Sequence, residues 1–300
     1  MDIHQQYELA RHRMDRTVLP MIEALTEQMR KDFGYDFRLG FEIEGTPERN
    51  KHRLLTRDDI TAINHKIAEK LVPMDDLVRK NQEQIAKAQH PYWDLSPEDT
   101  EKQIRAVIRK QALQNMQTPI DVPMGVFNYD FLEYELKTGA LKPTHAVVAV
   151  NFVKDTMQAI ASEYGFGRFL FSGHDPVYRP NQHSNALHTN ISLWQQKGDE
   201  KLNGIGNPSL RQAIVGSDDF KDILIDAAIF LSPREHSFKR FHNHNPSSPR
   251  YGYINYEEEY LDSSRQGIVG IKGKKDTARI ENRLPCMDAL PSIAALVTML

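Results

Sequence analysis

Ala278-Arg279-Ile280-Glu281-Asn282-Arg283-Leu284-Pro285 sets Arg279, Glu281 and Arg283 at every second position and ends on a proline, which reads as one strand with the three charges sharing a face. Two guanidinium groups around one carboxylate make either a salt-bridge ladder or a metal ligand bracketed by anion-binding forks, since arginine contacts carboxylate and phosphate bidentately. Spacing leaves both readings open. Upstream, Leu187-His188-Thr189-Asn190-Ile191-Ser192-Leu193-Trp194 puts His188, Asn190 and Ser192 on one face. Imidazole is a common metal ligand, and amide and hydroxyl suit ribose or phosphate oxygens, although such a row is more often an exposed sheet face. Further upstream, Phe41-Glu42-Ile43-Glu44 carries two carboxylates on one strand face, their Cα atoms about 6.5 to 7 Å apart. They serve either as ligands of neighbouring cations or as a solvated face.

The rest of the chain supplies the frame. Leu9, Met14, Val18, Met21, Ile22, Leu25 and Met29 recur at three and four, predicting a helix from Asp2 to about Lys31 despite Pro20. A strand over Phe37 to Glu44 follows, closed by Gly45, Thr46 and Pro47. Helices are expected from Thr56 to Leu71, from Asp75 to about Gln89, and from Ser96 to Gln117. Beyond Pro119 the texture changes. Val126 to Lys137 reads as a strand and Thr144 to Tyr164 as an amphipathic helix stopped by Gly165. Strands are expected near Arg168 to Ser172, Ala186 to Trp194, Gly252 to Tyr256, Gly267 to Lys272 and Ala278 to Leu284, with helices over Pro208 to Phe230 and Leu290 to Leu300. Helices and strands are segregated, so the fold class is α+β with a mainly antiparallel sheet. One domain over 1–300 is expected, with an N-terminal helical region to about 36 and a helical insertion over about 56–118.

Composition excludes several functions. A net charge of -3 and a pI near 6.5 give no footprint of a general nucleic-acid binder. The single cysteine, Cys286, excludes an intramolecular disulfide and a cysteine-rich zinc site, and fits a reducing compartment, with the cytoplasm as default. No stretch is apolar for eighteen residues, and Met1 to Arg13 is too polar for a secretory signal, so no membrane partner is expected.

Taken together, the motifs resemble those of glutamine synthetase and its carboxylate-amine ligase relatives. The family's E-x-E strand is similar to Glu42-Ile43-Glu44, and its H-x-H-x-S-L strand to His188 through Leu193. Its N-S-Y-K-R-L stretch is similar to His236-Ser237-Phe238-Lys239-Arg240-Phe241, and its R-I-E-x-R-x-P signature to Arg279 through Pro285. Ser292-Ile293-Ala294-Ala295-Leu296 fits the helix of small residues that follows. The resemblance implies a curved, mainly antiparallel sheet flanked by helices, with ATP and two or more Mg²⁺ or Mn²⁺ ions as cofactors. By that resemblance Glu42, His188 and Glu281 hold one ion. Glu44 holds a second, joined by Glu135 and Glu133 from Asp130-Phe131-Leu132-Glu133-Tyr134-Glu135. Ser192, Asn190 and Arg279 fall at nucleotide positions, and Arg240 and Arg283 at positions that clamp the substrate carboxylate or the phosphoryl group. Arg265 resembles a catalytic arginine. The implied partners are a small carboxylate and a small amine, and a homo-oligomer is compatible with the family.

Departures bound the reading. Helices stand where the family has a small N-terminal β-grasp domain that donates an acid to a neighbouring subunit, which argues against glutamine synthesis itself and against the usual ring. Asn190 replaces a family histidine, and the glycine-rich segment before it becomes Gly173 to Asn185, with His174, Asp175 and His183. His242 and His244 fit a surface turn, Glu257 to Glu259 a solvated face, and Trp194 and Tyr164 the core. A ligase using an amine larger than ammonia is therefore the leading expectation. Its alternatives are a non-catalytic nucleotide- or partner-binding protein and a phosphotransferase on the same scaffold.

Overall fold

Thirty-one residues of helix, Ile3–Phe33 (α1), open the structure and include Pro20. Its apolar stripe puts Val18, Ile22 and Thr26 inside, four residues apart, and Gly34 ends it in a left-handed conformation at φ 73°. The computed structural model describes residues 3–47, 57–71, 121–122, 125–128, 133–164, 169–171, 185–231 and 269–300. The described chain divides into two compact units, Met1–Gly40 with Ser172–Leu300 and Phe41–Phe171. No helix among the described residues is long and apolar enough to cross a membrane.

In the first unit, the strands Leu187–Lys197 (β6), Val269–Lys272 (β8) and Arg279–Asn282 (β9) pair antiparallel, with β9 between the other two. Register sets Asn190 opposite Glu281, and Glu281 opposite Gly270, so alternation gathers the polar side chains on one face. Thr189, Ile191, Leu193, Ile280 and Val269 fill the other face, all buried. The C-terminal helix Pro291–Met299 packs on that apolar side, starting on a proline at its first turn. Asn282, fully buried, donates Nδ2–H to Thr298 Oγ1 at 3.0 Å and accepts the Leu284 amide through Oδ1 at 3.1 Å. Asn282→Ala removes both of these bonds from an apolar layer, and should lower unfolding free energy in urea by about 1–3 kcal/mol.

A hairpin missed in the sequence follows β6. Glu200–Asn203 (β7) folds back on it through Gly198 at φ 59° and Asp199. Gly-Asp between strands is a two-residue hairpin signal that the expected end at Trp194 concealed. Asn203 then accepts the Ile205 amide and donates Nδ2–H to the carbonyls of Ala278 at 2.7 Å and Asp276 at 3.2 Å, tying this hairpin to the start of β9. The long helix expected over Pro208 to Phe230 is three, Pro208–Val215, Asp218–Asp226 and Ala228–Leu231. Gly216 closes the first, its N–H donating to Gln212 O, and Ser217 Oγ accepts the Phe220 amide. A glycine and a serine in sequence stop one helix and cap the next.

The second unit centres on the strand Asp36–Pro47 (β1), which enters it at Phe41, and on Asp121–Val122 (β2), Gly125–Asn128 (β3), Glu133–Lys137 (β4) and Phe169–Leu170 (β5). The strand expected over Val126 to Lys137 is a hairpin, with Asn128 paired to Glu133 and Val126 to Glu135. The signal was Asn128 and Asp130, turn formers inside the run. β1 also runs past its expected end. Gly45 continues the strand because a Cβ there would meet the rings of Phe169 and Phe171, and Pro47 falls at the terminus, where no ladder donor is lost. Helices Arg57–Leu71 and Pro143–Glu163 complete the unit, linked by Tyr164, whose hydroxyl donates to Ala62 O at 3.1 Å. The helices expected near 75–89 and 96–117 and the strand near 252–256 lie outside the described residues. Within each unit the pairs β1 with β4 and β5, β3 with β2 and β4, β6 with β7 and β9, and β8 with β9 are antiparallel, and the fold is α+β as expected.

Candidate functional site

On the polar face of the first unit, Glu281 is 4% exposed and surrounded by cations. Arg283 Nε donates to Glu281 Oε2 at 2.7 Å, Lys272 Nζ stands 3.6 Å from the same oxygen, and His188 Nδ1 stands 3.8 Å from Oε1. The His188 separation exceeds a hydrogen bond. It falls within the roughly 4.2 Å that separates ligands on opposite sides of an ion with metal–oxygen distances of about 2.1 Å. Hard carboxylate oxygen suits Mg²⁺ or Mn²⁺, and the imidazole nitrogen adds a borderline donor.

Gly270 creates the space for this group. A Cβ on it would run into Arg283 Nη2 and lie 2.8 Å from both Arg283 Cζ and Glu281 Oε2. Beside them, Arg279 Nε donates to Asn190 Oδ1 at 2.8 Å, and Trp194 Nε1 donates to Ser192 Oγ at 3.0 Å. Asn190 and Ser192 are buried rather than forming an exposed row, and Trp194 serves Ser192 from a half-buried position. Register also sets Lys272 directly opposite Arg279. Like charges opposite each other repel, so this pair favours an anion between them. Lys272 and Gly270 were absent from the sequence-based site. Alternation along β8 could have found them, since both point to the face of Glu281.

On the second unit, β1 and β4 set Glu44 opposite Glu135 and Glu42 opposite Lys137. Glu42 is 8% and Glu44 1% exposed, which removes the solvated-face reading. Lys137 Nζ bridges Glu135 Oε1 at 3.1 Å and Glu42 Oε1 at 3.4 Å. Burial pulls the Lys137 ammonium down, but the charges of Glu42 and Glu135, with their hydrogen bonds, outweigh it and raise its pKa above the ordinary lysine value. Glu133 lies on β4 in register with Asn128. Arg240, Arg265, Asp130, His174, Asp175, His183, His242, His244 and Glu257 to Glu259 fall outside the described residues.

Residues 20–300 match the family described as glutamine synthetase, catalytic domain. Among solved structures, one described as a novel glutamine synthase homolog superposes with a TM-score of 0.51 at 14% identity, covering 94% of this chain and 57% of its own. A second, the Plasmodium falciparum glutamine synthetase, gives 0.47 at 17% identity, with 94% and 54% covered. The chain thus spans little more than half the length of either. None of the curated proteins matches. The match over residues 20–300, together with the antiparallel α+β fold, places the chain in the glutamine synthetase catalytic-domain family.

Proposed function

We propose that this chain is an ATP- and divalent-cation-dependent ligase that joins a carboxylate to an amine through an acyl phosphate. The observation that carries the reading is Glu281, a buried carboxylate with a histidine at ligand distance and two cations beside it. Desolvating that many charges is costly without a ligand that uses them, and such clusters mark functional sites.

Roles follow from residue chemistry. His188 and Glu281 would hold one divalent cation, with Glu42 carried to the same role by the family resemblance, and that cation would supply the charge that neutralises phosphate oxygens during transfer. Lys272 and Arg279 face the nucleotide phosphates, with Asn190 orienting Arg279, and Ser192 contributes a hydroxyl on the nucleotide side. Arg283 uses Nε to hold Glu281 and has further donors for the substrate carboxylate or the transferring phosphoryl group, a task shared with Arg240. Arg265 is assigned to the same transfer, and Glu44, Glu133 and Glu135 to the substrate side. In the reaction a carboxylate oxygen of the substrate attacks the γ-phosphorus of ATP and ADP leaves. The amine then attacks the acyl carbon, phosphate departs with the C–O bond electrons, and the amine gives up a proton. Most of the acceleration comes from positioning and preorganised charge.

The test is ADP release from the purified chain with Mg²⁺ across a panel of amino acids and amines. Release that requires both a carboxylate and an amine supports the ligase. Release to a carboxylate or guanidine alone selects a phosphotransferase, and nucleotide-dependent thermal stabilisation without turnover selects a non-catalytic binder.

A further inference from the structure

Two carboxylates directly opposite on neighbouring strands repel, and Glu44 and Glu135 are such a pair, Glu44 being nearly fully buried. A cation beside either one relieves the repulsion, and the chain supplies one at Glu135. Lys137, two residues after Glu135 and opposite Glu42, reaches both Glu135 and Glu42 with its ammonium. The next strand adds no acid, since the residues of β3 paired with Glu135 and Glu133 are Val126 and Asn128.

Resting on the ligase reading, we propose that the Lys137 ammonium replaces the second divalent cation, so that the site works with one metal ion and one built-in positive charge. Mg²⁺ gives up its water reluctantly and demands near-octahedral oxygen ligation, whereas an ammonium on a tethered stem needs neither. With Glu135 already held by lysine, the Glu44–Glu135 pair is poor for a small ion of its own.

The number of bound ions tests this directly. Mn²⁺ titration at neutral pH, with free Mn²⁺ followed by electron paramagnetic resonance, should give one tight site per chain in the wild type. Lys137→Met, which keeps length and removes charge, should give two, while Lys137→Arg should keep one. Two tight sites in the wild type, or one in Lys137→Met, overturns the replacement and leaves the ligase reading standing. No tight site in the wild type overturns the metal assignment of the ligase reading itself. The wild-type count needs no variant and holds even if Lys137→Met fails to fold.

Discussion

Glu281→Gln should lose tight Mn²⁺ binding by about 10²-fold or more and unfold at a lower temperature than the wild type. The exchange is nearly isosteric, so its effect is the removal of charge. Glu281 faces Arg283 at 2.7 Å, and both side chains are almost fully buried. Removing one partner of such a pair takes a close counter-charge from a buried guanidinium, a loss of about 3–5 kcal/mol. Lys272 adds a second cation within 3.6 Å and worsens the imbalance. Stability and ligation are separable here. Adding Arg283→Met to Glu281→Gln removes the buried guanidinium as well and should recover most of the melting temperature, while Mn²⁺ affinity stays lost. Recovery of both properties in the double variant would mean that Glu281 serves only as the counter-ion of Arg283.

How far the sequence reveals this site depends on whether the information is local. Alternation is local, so Glu281 with Arg279 and Arg283, His188 with Asn190 and Ser192, and Glu42 with Glu44 can be grouped by face from the chain alone. Burial is not local. Asn190 and Glu44 look like solvent-facing polar residues until their neighbours cover them. Register is not local either. Lys137 reads as an ordinary strand lysine, and only its pairing with Glu42 turns it into a bridge between two carboxylates. The element boundaries failed for a related reason. Asn128 to Asp130 and Gly216-Ser217 carry turn chemistry inside longer runs, so the sequence reading takes one hairpin as a single strand and three helices as one, while the strand expected to end at Trp194 stops short of Gly198-Asp199 and misses the return strand. Gly45 misled in the opposite direction. Its lack of a side chain serves contact with two phenyl rings, not a turn.

Gly270→Ala should destabilise the protein by about 1–3 kcal/mol and weaken Mn²⁺ binding along with it, although the ordinary expectation has the opposite sign. Alanine replacing a strand glycine whose φ is not positive reduces the freedom of the unfolded chain and stabilises by about 0.4–1 kcal/mol. Gly270 is not among the positive-φ glycines, so its backbone would accept alanine. The obstacle is space. The new methyl would overlap Arg283 Nη2 and press on Arg283 Cζ and Glu281 Oε2, all on the face of β9 opposite Gly270. Exposed arginine tips yield easily, but this one is 5% exposed and hydrogen-bonded to Glu281, so the pair must move as a unit and take the Oε1 oxygen away from His188. Thermal unfolding and Mn²⁺ titration on the same sample read both consequences. An alanine variant that melts at or above the wild type with unchanged affinity would show that the Arg283–Glu281 pair does not depend on the gap left by Gly270.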